Sequence, residues 1–433
     1  MEIRRKRWKE LDSTEKDKIL SRSELDISEI RSSIESIIQK VRTEGDTAVT
    51  ELTRRFDGVD IPTENLLVCE AEFAEAEKQV DNQLKNAIKH AVSNVHKFHS
   101  AQVPKTMEFM EVEPGVIAGE RPTPIPSCGL YVPSGRGSFP SMLYMLAVPA
   151  VLAGVPSISI TTPPRKDGSV DPVSLYTARL CGVEKVYKIG GAQAIAAFAY
   201  GTETVPNVAK IIGPGSMYVA AAKQLLTGIV DVGLPAGPSE SAILADYSAN
   251  PYNTALDLLI EAEHGSDSSA LLVTPSEQLA EEVEKYIKQI VPSLPEPRKG
   301  FVETVLSNYG GIILTDTVQE GADVINSFAP EHLLIKTEDP FDSLSLIQNA
   351  GEILLGENTP FSIANYATGP NAVLPTGGRS VTYSPVSVRD FIKYSSVIYT
   401  TKNGLNSLKK TVTEIADHEG FPAHGNAVRD RKQ

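Results

Sequence analysis

The stretch from Met142 to Ile160, MLYMLAVPAVLAGVPSISI, decides how this sequence is expected to fold. It is apolar almost throughout, and its length alone would suit a membrane span. However, Pro149, Gly154 and Pro156 interrupt it, and a regular helix does not continue through such positions. We therefore expect no membrane crossing but a buried helix that ends near Gly154, followed by a buried strand. Elements that are apolar on all sides in this way are typical of a parallel α/β sheet.

The same alternation of apolar strands and helices continues on both sides of this stretch, in two successive series. The predicted strands are Gly129–Pro133, Ser157–Thr162, Lys185–Ile189 and Ala209–Ile212 in the first series, and Ser241–Ala245, Ala270–Thr274, Gly311–Thr315, Leu333–Lys336 and Glu352–Leu355 in the second. The predicted helices include Asp171–Leu180, Ala192–Tyr200, Tyr252–Glu263, Glu277–Ile290 and Val318–Phe328. Repeated β-α units of this kind predict an α/β protein with two Rossmann-like, doubly wound parallel sheets.

The two ends of the chain are more highly charged and have helical periodicity. Apolar residues recur at helical spacing from Ile30 to Val41, and Gly45 follows as a stop signal. We therefore expect an N-terminal, mainly helical segment and a C-terminal helical tail around the two sheets. The predicted division is 1–128 for the N-terminal segment, 129–236 and 237–378 for the two Rossmann-like domains, and 379–433 for the tail.

The amino-acid composition is that of a folded, acidic protein. The 433 residues carry 41 Lys and Arg against 55 Asp and Glu, a formal net charge of −14. An acidic chain repels phosphate backbones, so we expect no nucleic-acid binding. The cysteines, Cys69, Cys128 and Cys181, are odd in number and far apart, which argues against a disulfide framework. Because no apolar run follows the basic N-terminus, we expect a cytoplasmic protein.

Three glycine-rich turns each follow a predicted strand and precede a helix. They are Gly135-Arg136-Gly137, Gly190-Gly191-Ala192-Gln193 and Gly213-Pro214-Gly215-Ser216. None matches the GxGxxG pattern of dinucleotide enzymes, and tight geometry alone usually explains glycine in any one such turn. Three successive turns at the carboxyl ends of neighbouring strands nevertheless favour ligand binding, because backbone amides there can hold phosphate.

The histidines fall into two groups. His90, His96 and His99 lie on an N-terminal amphipathic helix without a metal or acid/base pattern, so we expect surface or packing roles. Glu261 and His264 are three residues apart near the end of a predicted helix, so both project from one face. That spacing suits a shared metal, although such a pair taken alone is more often a solvated helix end.

Two further pairs combine a glutamate with a histidine. Glu331 and His332 are adjacent, between a helix end and a strand, and offer an acid/base pair near neutral pH. Glu419 and His424 lie in the C-terminal tail, where a histidine usually has no special role. Neither pair is specific by itself.

Eight motifs follow one another in a fixed order over nearly the whole chain. They are GLYVPSG (129–135), IGGAQAIAAFAYGTETVP (189–206), KIIGPG (210–215), LPAGPSE (234–240), EAEHGSDS (261–268), APEHL (329–333), YATGPNAVLPTGG (366–378) and AHGNAV (423–428). A single motif of this kind would be only suggestive, but the ordered set is specific. The sequence therefore resembles the histidinol dehydrogenase family.

The resemblance implies an enzyme that oxidises a small primary alcohol to a carboxylate through a bound aldehyde and reduces two NAD molecules in turn. The implied reaction is L-histidinol to L-histidine, in histidine biosynthesis. It also implies one zinc ion per site and a homodimer whose C-terminal tail reaches the partner's active site. The implied residues are Glu331 and His332 for catalysis; Glu261, His264, Asn365 and His424 for zinc; Ser239 and Glu419 for substrate; and Tyr131, Gln193 and Ser216 for NAD.

Four positions depart from the family pattern. Glu261 stands where the family usually has Gln, Asn365 where it has Asp, Ser216 where it has Asn, and Ala372 where it has His. The first two exchanges preserve one carboxylate, one carboxamide and two imidazoles, so zinc or a similar metal is still expected. The missing histidine removes a polar partner, which would cost a buried substrate group about 1–3 kcal/mol.

These departures leave the substrate open. L-histidinol is the first choice, and another small primary alcohol such as sulfopropanediol, oxidised by a paralogue, is the alternative. A catalytically inactive ligand-binding relative is a third hypothesis, against which the intact Glu331-His332 pair argues. A metallohydrolase that uses His264 and His424 without NAD is a fourth, which the glycine-rich turns disfavour.

Overall fold

The computed structural model describes residues 2–22, 28–134 and 137–432. Gly135 and Arg136 of the first glycine-rich turn lie outside the described residues. The strands, in chain order, are β1 (Arg5–Arg7), β2 (Glu108–Glu113), β3 (Val116–Pro124), β4 (Ser127–Tyr131), β5 (Ser157–Thr161), β6 (Val186–Tyr187), β7 (Lys210–Ile212), β8 (Glu240–Ala245), β9 (Ser269–Thr274), β10 (Gly311–Leu314), β11 (His332–Lys336), β12 (Glu352–Leu355) and β13 (Ile392–Thr400).

Helices connect most of these strands and form both ends of the chain. In chain order they are α1 (Ser13–Ser21), α2 (Ser28–Asp57), α3 (Glu70–Gln79), α4 (Asn82–Ser100), α5 (Pro140–Leu152), α6 (Pro172–Leu180), α7 (Gly191–Tyr200), α8 (Met217–Leu226), α9 (Pro251–Ala262), α10 (Glu277–Ile290), α11 (Arg298–Asn308), α12 (Val318–Phe328), α13 (Pro340–Leu344), α14 (Phe361–Tyr366), α15 (Lys402–His418) and α16 (Pro422–Arg429). Asp171 and Asn250 cap α6 and α9 with their side chains, and a proline follows each cap.

The first sheet has four parallel strands in the order β6-β5-β4-β7. Helices α2, α7 and α8 cover one face, and α3 to α6 cover the other, so both faces are buried. Gly129 on β4 faces α7, where an added Cβ would lie 2.5 Å from Cδ2 of Phe198. Only glycine therefore allows this helix to approach the strand so closely. Within α2, Gly45 has a φ of 57°, so the predicted stop is a kink after which the helix resumes.

The second sheet has six parallel strands in the order β1-β10-β9-β8-β11-β12. Helices α9, α10 and α11 pack on one face, whereas α1 and α12 pack on the other. Along β8, Ile243 belongs to one core and Leu244 to the opposite core, as expected for a strand buried on both sides. The expectation of two Rossmann-like, doubly wound parallel sheets is confirmed, and every strand of the two predicted series is present.

A third, antiparallel sheet of order β13-β3-β2 was not expected. The ends of the chain are helical as predicted, yet they also supply these strands. The sheet is exposed: Met110 on β2 and Ile398 on β13 are 66% and 71% exposed. Without a buried face, such strands lack the regular apolar alternation by which a strand is recognised in sequence. The four-part division of the chain stays a prediction.

Helix α5 confirms the interpretation of the apolar stretch with which the sequence analysis began. It ends at Leu152, close to the expected Gly154, and its residues from Leu143 to Ala150 are buried. The expectation that Pro149 interrupts the helix is wrong, because α5 continues through this residue. Among the described residues, no helix is both long and apolar enough to cross a membrane.

Candidate active site

The residues expected to carry catalysis lie at the amino-terminal edge of the second sheet. His332 is the first residue of β11, and Glu331 immediately precedes it. The parallel register pairs His332 with Ser241 on β8 and with Glu352 on β12, so the amino ends of three strands meet there. Ser239 is half-buried and lies directly before β8 at the same edge. Doubly wound sheets usually bind ligands at the carboxyl ends of their strands, so this cluster occupies the opposite edge.

His332 is surrounded by three carboxylates. Its Nδ1 atom lies 2.6 Å from Oε1 of Glu352, in a hydrogen bond that fixes the ring. Its Nε2 atom lies 3.7 Å from Oε1 of Glu331 and 4.0 Å from Oε1 of Glu261. Burial opposes a charge on the ring, but Glu261, Glu331 and Glu352 outweigh burial and raise the pKa of His332 to about 10. The cluster therefore stabilises a positively charged imidazolium.

Glu331 is a buried carboxyl group with support from the backbone. Its Oε2 atom accepts a 2.9 Å hydrogen bond from the N–H of Glu240. Burial raises the pKa of Glu331 well above its usual value, while the neighbouring His332 acts in the opposite direction and Glu261 adds to the rise. A buried carboxyl group beside an imidazole can exchange a proton near neutral pH, as an acid/base catalyst must.

Three residues at this edge are not among the site residues predicted from sequence, namely Glu352, Glu240 and Arg22. Glu240 accepts a 2.7 Å hydrogen bond from the N–H of Gly377, and its Oε1 atom lies 3.4 Å from Nε of Arg22. Strand order could have indicated Glu352, because it opens the strand beside β11. No local pattern points to Arg22, which reaches the edge from the end of α1.

A carboxylate, an imidazole and an amide oxygen are found at the C-terminal end of α9. Glu261 is 1% exposed, and its Oε1 atom accepts a 2.8 Å hydrogen bond from Nδ2 of Asn365. Its Oε2 atom lies 3.2 Å from Nδ1 of His264. Burial favours the neutral form of Glu261, but the charges of His264 and His332 and the Asn365 bond together lower its pKa. The ionised carboxylate is therefore the favoured form.

The amide oxygen of Asn365 provides a test of whether these residues fit a metal. It is buried and has no hydrogen-bond partner among the described residues. A buried polar atom without a partner costs free energy unless another group meets it. With the Glu261 carboxylate and the His264 imidazole, it completes a set of oxygen and nitrogen donors that zinc accepts. These three residues therefore fit the expected metal.

The two candidate residues of the tail lie elsewhere on the chain. Glu419 follows α15 and His424 lies on α16, and both are exposed. Helix α16 packs along α15, where Arg429 and Asp417 form a 2.6 Å ion pair. The ring of His424 contacts Phe421, with 5.3 Å between centroids. Within the described part of the chain, no three His, Cys, Asp or Glu side chains form a metal-binding group, so one chain does not bring His424 to the other expected ligands.

The expected cofactor residues lie at the carboxyl edge of the first sheet. Tyr131 ends β4, and its hydroxyl accepts a 3.1 Å hydrogen bond from the N–H of Gly191, where α7 begins. Gln193 in the first turn of α7 is 1% exposed, and its Nε2 atom has no partner among the described residues. Ser216 is exposed at the start of α8 and makes no side-chain cap. Two helix N-termini and a buried amide at one edge fit a dinucleotide.

Tight geometry explains part of the Gly213–Ser216 turn. Gly213 has a φ of +129°, and an added Cβ would lie 2.1 Å from the carbonyl oxygen of Tyr131. The amino group of buried Lys223 donates a hydrogen bond to the Gly213 carbonyl, and burial lowers the pKa of Lys223 to about 7. The glycine itself is thus structural, while the amides that follow it begin α8.

The loop over residues 367–378 connects the two halves of the molecule. On the first half, Nδ2 of Asn371 donates a 2.6 Å hydrogen bond to the carbonyl of Met145. The same amide lies 3.3 Å from Nε2 of His99, which is fully buried, so the expected packing role of His99 is confirmed. Ala372 packs against the same core. The position that departs from the family pattern therefore lies in a loop held to both halves.

Comparison with known proteins gives a consistent result. A family model for histidinol dehydrogenase matches residues 20–432. The chain is 56% identical over 411 residues to a histidinol dehydrogenase from Synechocystis sp., covering 95% of each protein. It is 48% identical over 423 residues to a histidinol dehydrogenase homolog from Colwellia psychrerythraea, covering 98% of this chain and 95% of that protein. The crystal structure of a histidinol dehydrogenase from Elizabethkingia anophelis matches with a TM-score of 0.93 at 33% identity, over 99% of this chain and 97% of that one.

The fold is that of an α/β protein with two doubly wound parallel sheets, and the comparisons place it among the dehydrogenases. The chain belongs to the histidinol dehydrogenase family, as its ordered motifs indicated, and is an oxidoreductase.

Proposed function

We propose that this protein oxidises L-histidinol to L-histidine through a bound aldehyde, using NAD and one zinc ion per site. The observation that carries the proposal is the position of the His332 ring. Its Nε2 atom lies within 4.0 Å of both Glu331 and Glu261, so the acid/base pair adjoins the expected metal ligands. An alcohol held at Glu261 would present its hydroxyl group to His332.

The cofactors would be held at the two edges described above. When bound, zinc would hold the substrate by its polar groups, and NAD would supply the hydride acceptor. Zinc would be held by Glu261, His264, Asn365 and His424 of a second copy, and NAD by Tyr131, Gln193 and Ser216, with Ser239 and Glu419 contacting substrate.

The protein's own residues move the protons. In its neutral form, His332 would accept the proton of the substrate hydroxyl on Nε2. Glu261 would be engaged with the metal in the loaded enzyme and so would contribute less to the raised pKa of the ring. Glu331 and Glu352 would then stabilise the imidazolium that forms. Glu331 takes a proton from the water that adds to the aldehyde, and burial keeps its pKa high enough for that exchange. The Nδ1 bond to Glu352 holds the ring in position through both stages.

We also propose a homodimer with shared active sites. Glu419 and His424 are separated from the other candidate residues within one chain. Near the tail, the antiparallel sheet exposes Met110, Ile398 and Tyr399 at 66%, 71% and 62% of their surface. Exposed apolar patches often mark interaction surfaces. A second copy is the occupant we favour, because it would also supply the missing metal ligand.

A reducing, cytoplasmic location is part of the proposal and rests on the cysteines. All three are free thiols, and two of them, Cys128 and Cys181, are buried. Unpaired, buried thiols are the usual condition in a reducing compartment.

A second candidate substrate is another small primary alcohol, such as sulfopropanediol. At position 372, where the family has His, Ala372 contributes no polar side chain to the loop over residues 367–378. The carboxylate and the carboxamide have also changed places relative to the family pattern, and the Asn365 amide donates to the carboxylate of Glu261. Some relatives carry the name histidinol dehydrogenase homolog, including one from Rhizobium meliloti that is 49% identical over 422 residues. The amino-acid exchanges, rather than the names, motivate this alternative.

The test is a comparison of kcat/KM for L-histidinol, histidinal and small hydroxylated or sulfonated diols with NAD and a zinc-loaded enzyme. We expect L-histidinol to be used fastest. Ala372→His and the double variant Glu261→Gln/Asn365→Asp restore the family pattern and serve as matched comparisons. If wild type ignores L-histidinol while a restored variant oxidises it, the protein is a paralogue with another substrate.

A further inference from the structure

Asp57, the last residue of α2, is a carboxylate for which the fold provides no partner. Its Oδ2 atom is buried and has no hydrogen bond among the described residues. Asp46 in the same helix behaves differently, because the hydroxyl groups of Thr202 and Thr204 donate to its two oxygens. A buried carboxylate with a purely structural role is expected to accept hydrogen bonds within the protein, as Asp46 does.

The position of Asp57 places it at the proposed cofactor edge. Burial raises the pKa of the Asp57 carboxyl to about 6. Leu52 on α2 and Val59 belong to the same buried core cluster as Tyr131, so the end of α2 lies on the side of the sheet that carries Tyr131. Burial raises the pKa of Tyr131 to about 12, and the charge of Asp57 adds to that rise. Val59, two residues beyond Asp57, lies beside the turn that follows β5. A Cβ added to Gly168 in that turn would lie 3.6 Å from Cγ1 of Val59.

Strand order explains why a carboxylate at this point is informative. In the first sheet β5 follows β4, and its carboxyl end is where many dinucleotide-binding sheets carry an acidic residue for the ribose. The turn after β5 does contain Asp167, but its Oδ1 atom accepts hydrogen bonds from the N–H and hydroxyl of Ser169. Arg165 in the same turn is paired with Asp171 at 2.5 Å. The local charges are thus satisfied within the turn.

Two buried hydroxyl groups, one on α2 and one at the end of β5, are also without partners among the described residues. Thr53 lies one helical turn before Asp57, and its hydroxyl is buried without a hydrogen bond among the described residues. Thr161, which ends β5, has a hydroxyl in the same condition and is paired in register with Tyr131. The fold therefore places several unused acceptors beside the carboxyl edge of the first sheet.

We propose that Asp57 accepts hydrogen bonds from the ribose hydroxyls in the adenosine half of NAD and makes the enzyme select NAD over NADP. This inference rests on the proposed cofactor site. Hydroxyl groups donate to a carboxylate, which would provide the missing partner for Oδ2. The 2′-phosphate of NADP replaces a donor by an anion, and an anion beside Asp57 is repelled. Asp57 is thus a specificity-determining residue supplied from outside the strand that usually provides it.

The test uses Asp57→Asn, Asp57→Ser and the matched control Asp60→Asn, in which an exposed carboxylate three residues away is neutralised. Binding of ADP-ribose and of its 2′-phosphorylated form is measured by calorimetry, independently of catalysis. We expect both Asp57 variants to bind ADP-ribose about tenfold more weakly and to lose most of the discrimination against the 2′-phosphate. The control should match wild type.

Steady-state kinetics supply the second measurement. In both Asp57 variants the KM for NAD should rise while kcat changes little, and the ratio of kcat/KM for NADP to that for NAD should increase about tenfold or more. Folded variants with wild-type affinity for ADP-ribose and unchanged coenzyme preference would overturn the role of Asp57 alone. Wild-type protein that binds neither ADP-ribose nor NAD would instead overturn the proposed cofactor, and the Asp57 inference with it.

Discussion

The two parallel sheets share one doubly wound design, but their candidate functional residues lie at opposite edges. In the first sheet, Tyr131, Gln193 and Ser216 lie at the carboxyl edge, where α7 and α8 begin. In the second sheet, Glu331 and His332 lie at the amino edge, beside the C-terminal end of α9. One edge presents helix N-termini and the other presents a helix C-terminus.

The difference follows from the electrostatics of helices. Helix N-termini expose N–H groups and a partial positive charge, so the first edge can hold an anionic dinucleotide with little help from charged side chains. A helix C-terminus carries a partial negative charge that favours a cation, and the carboxylate of Glu261 adds to it. At the second edge, the proposed proton transfers would be made by the buried Glu and His side chains concentrated there. Changes at the first edge should therefore affect cofactor binding, and changes at the second should affect turnover.

The largest expected effect is at the second edge, in His332→Ala. Removal of the base should lower kcat for alcohol oxidation about a thousandfold, while the affinity for NAD stays within about twofold of wild type. Presteady-state kinetics with L-histidinol and calorimetry with NAD make the two measurements. An equal loss of cofactor affinity would mean that the two edges do not act separately.

Glu331→Gln should separate the two halves of the reaction. Because addition of water to the aldehyde needs a base, conversion of histidinal should fall about a hundredfold, and alcohol oxidation should fall much less. Each half is measured with its own substrate. Equal losses in both halves for both Glu331→Gln and His332→Ala would remove the proposed division of roles.

Subunit mixing tests whether the second edge is completed by another chain. His264→Ala and His424→Ala should each be inactive as homodimers and should fail to retain zinc. After verified exchange, half of the dimers are mixed and each has one intact site, so activity should return to about a quarter of wild type. No recovery would indicate that the tail serves its own chain.

Gln193→Leu probes the first edge with a side chain of similar size. Loss of the buried amide, which has no partner among the described residues, should raise the KM for NAD about fivefold and leave kcat nearly unchanged. Gln224→Leu on α8 is the control, because that side chain is exposed. A fall in kcat without a change in KM would contradict the assignment of Gln193 to cofactor binding.

The smallest effect is on stability, in Asp57→Asn. Burial raises the pKa of Asp57 from 3.8 to about 6, so the folded protein binds this proton more tightly than the unfolded chain does. The carboxylate therefore destabilises the fold progressively between pH 4 and 6, and fully above pH 6. Asp57→Asn should raise the Tm by about 2 °C at pH 8 and not at pH 4. Thermal unfolding at both pH values measures this, and a rise in Asp60→Asn as well would point to general charge effects.

Much of this molecule follows from local sequence. The apolar run from Met142 to Ile160 indicated a buried helix and a buried strand, and α5 and β5 confirm both. The apolar pattern of a helix or strand is a local property. It depends on which face of the element is buried and not on which other element covers that face. The family motifs likewise indicated Glu331, His332 and Glu261, and the fold places both glutamates within 4.0 Å of Nε2 of His332.

Other features depend on long-range pairing. Glu352 is 20 residues from His332 in sequence, and only the pairing of β11 with β12 makes them partners. Arg22 reaches the mid-chain residue Glu240 from the N-terminal segment, and the antiparallel sheet joins β2 and β3 to the distant β13. Exposed strands and single long-range ion pairs leave no periodic signal, so sequence patterns do not predict them.

The sequence by itself determined the order of the β-α units, the two doubly wound halves that they form and the family. Only the tertiary structure decided which edge of each sheet carries its candidate site and that His424 lies apart from Glu261 within one described chain. It also decided that Oδ2 of Asp57 has no partner in the described part of the chain, whereas both oxygens of Asp46 have one. The physical reason is that the polarity of each residue indicates whether it is buried. The partners of a polar side chain, in contrast, are neighbours that are remote in sequence.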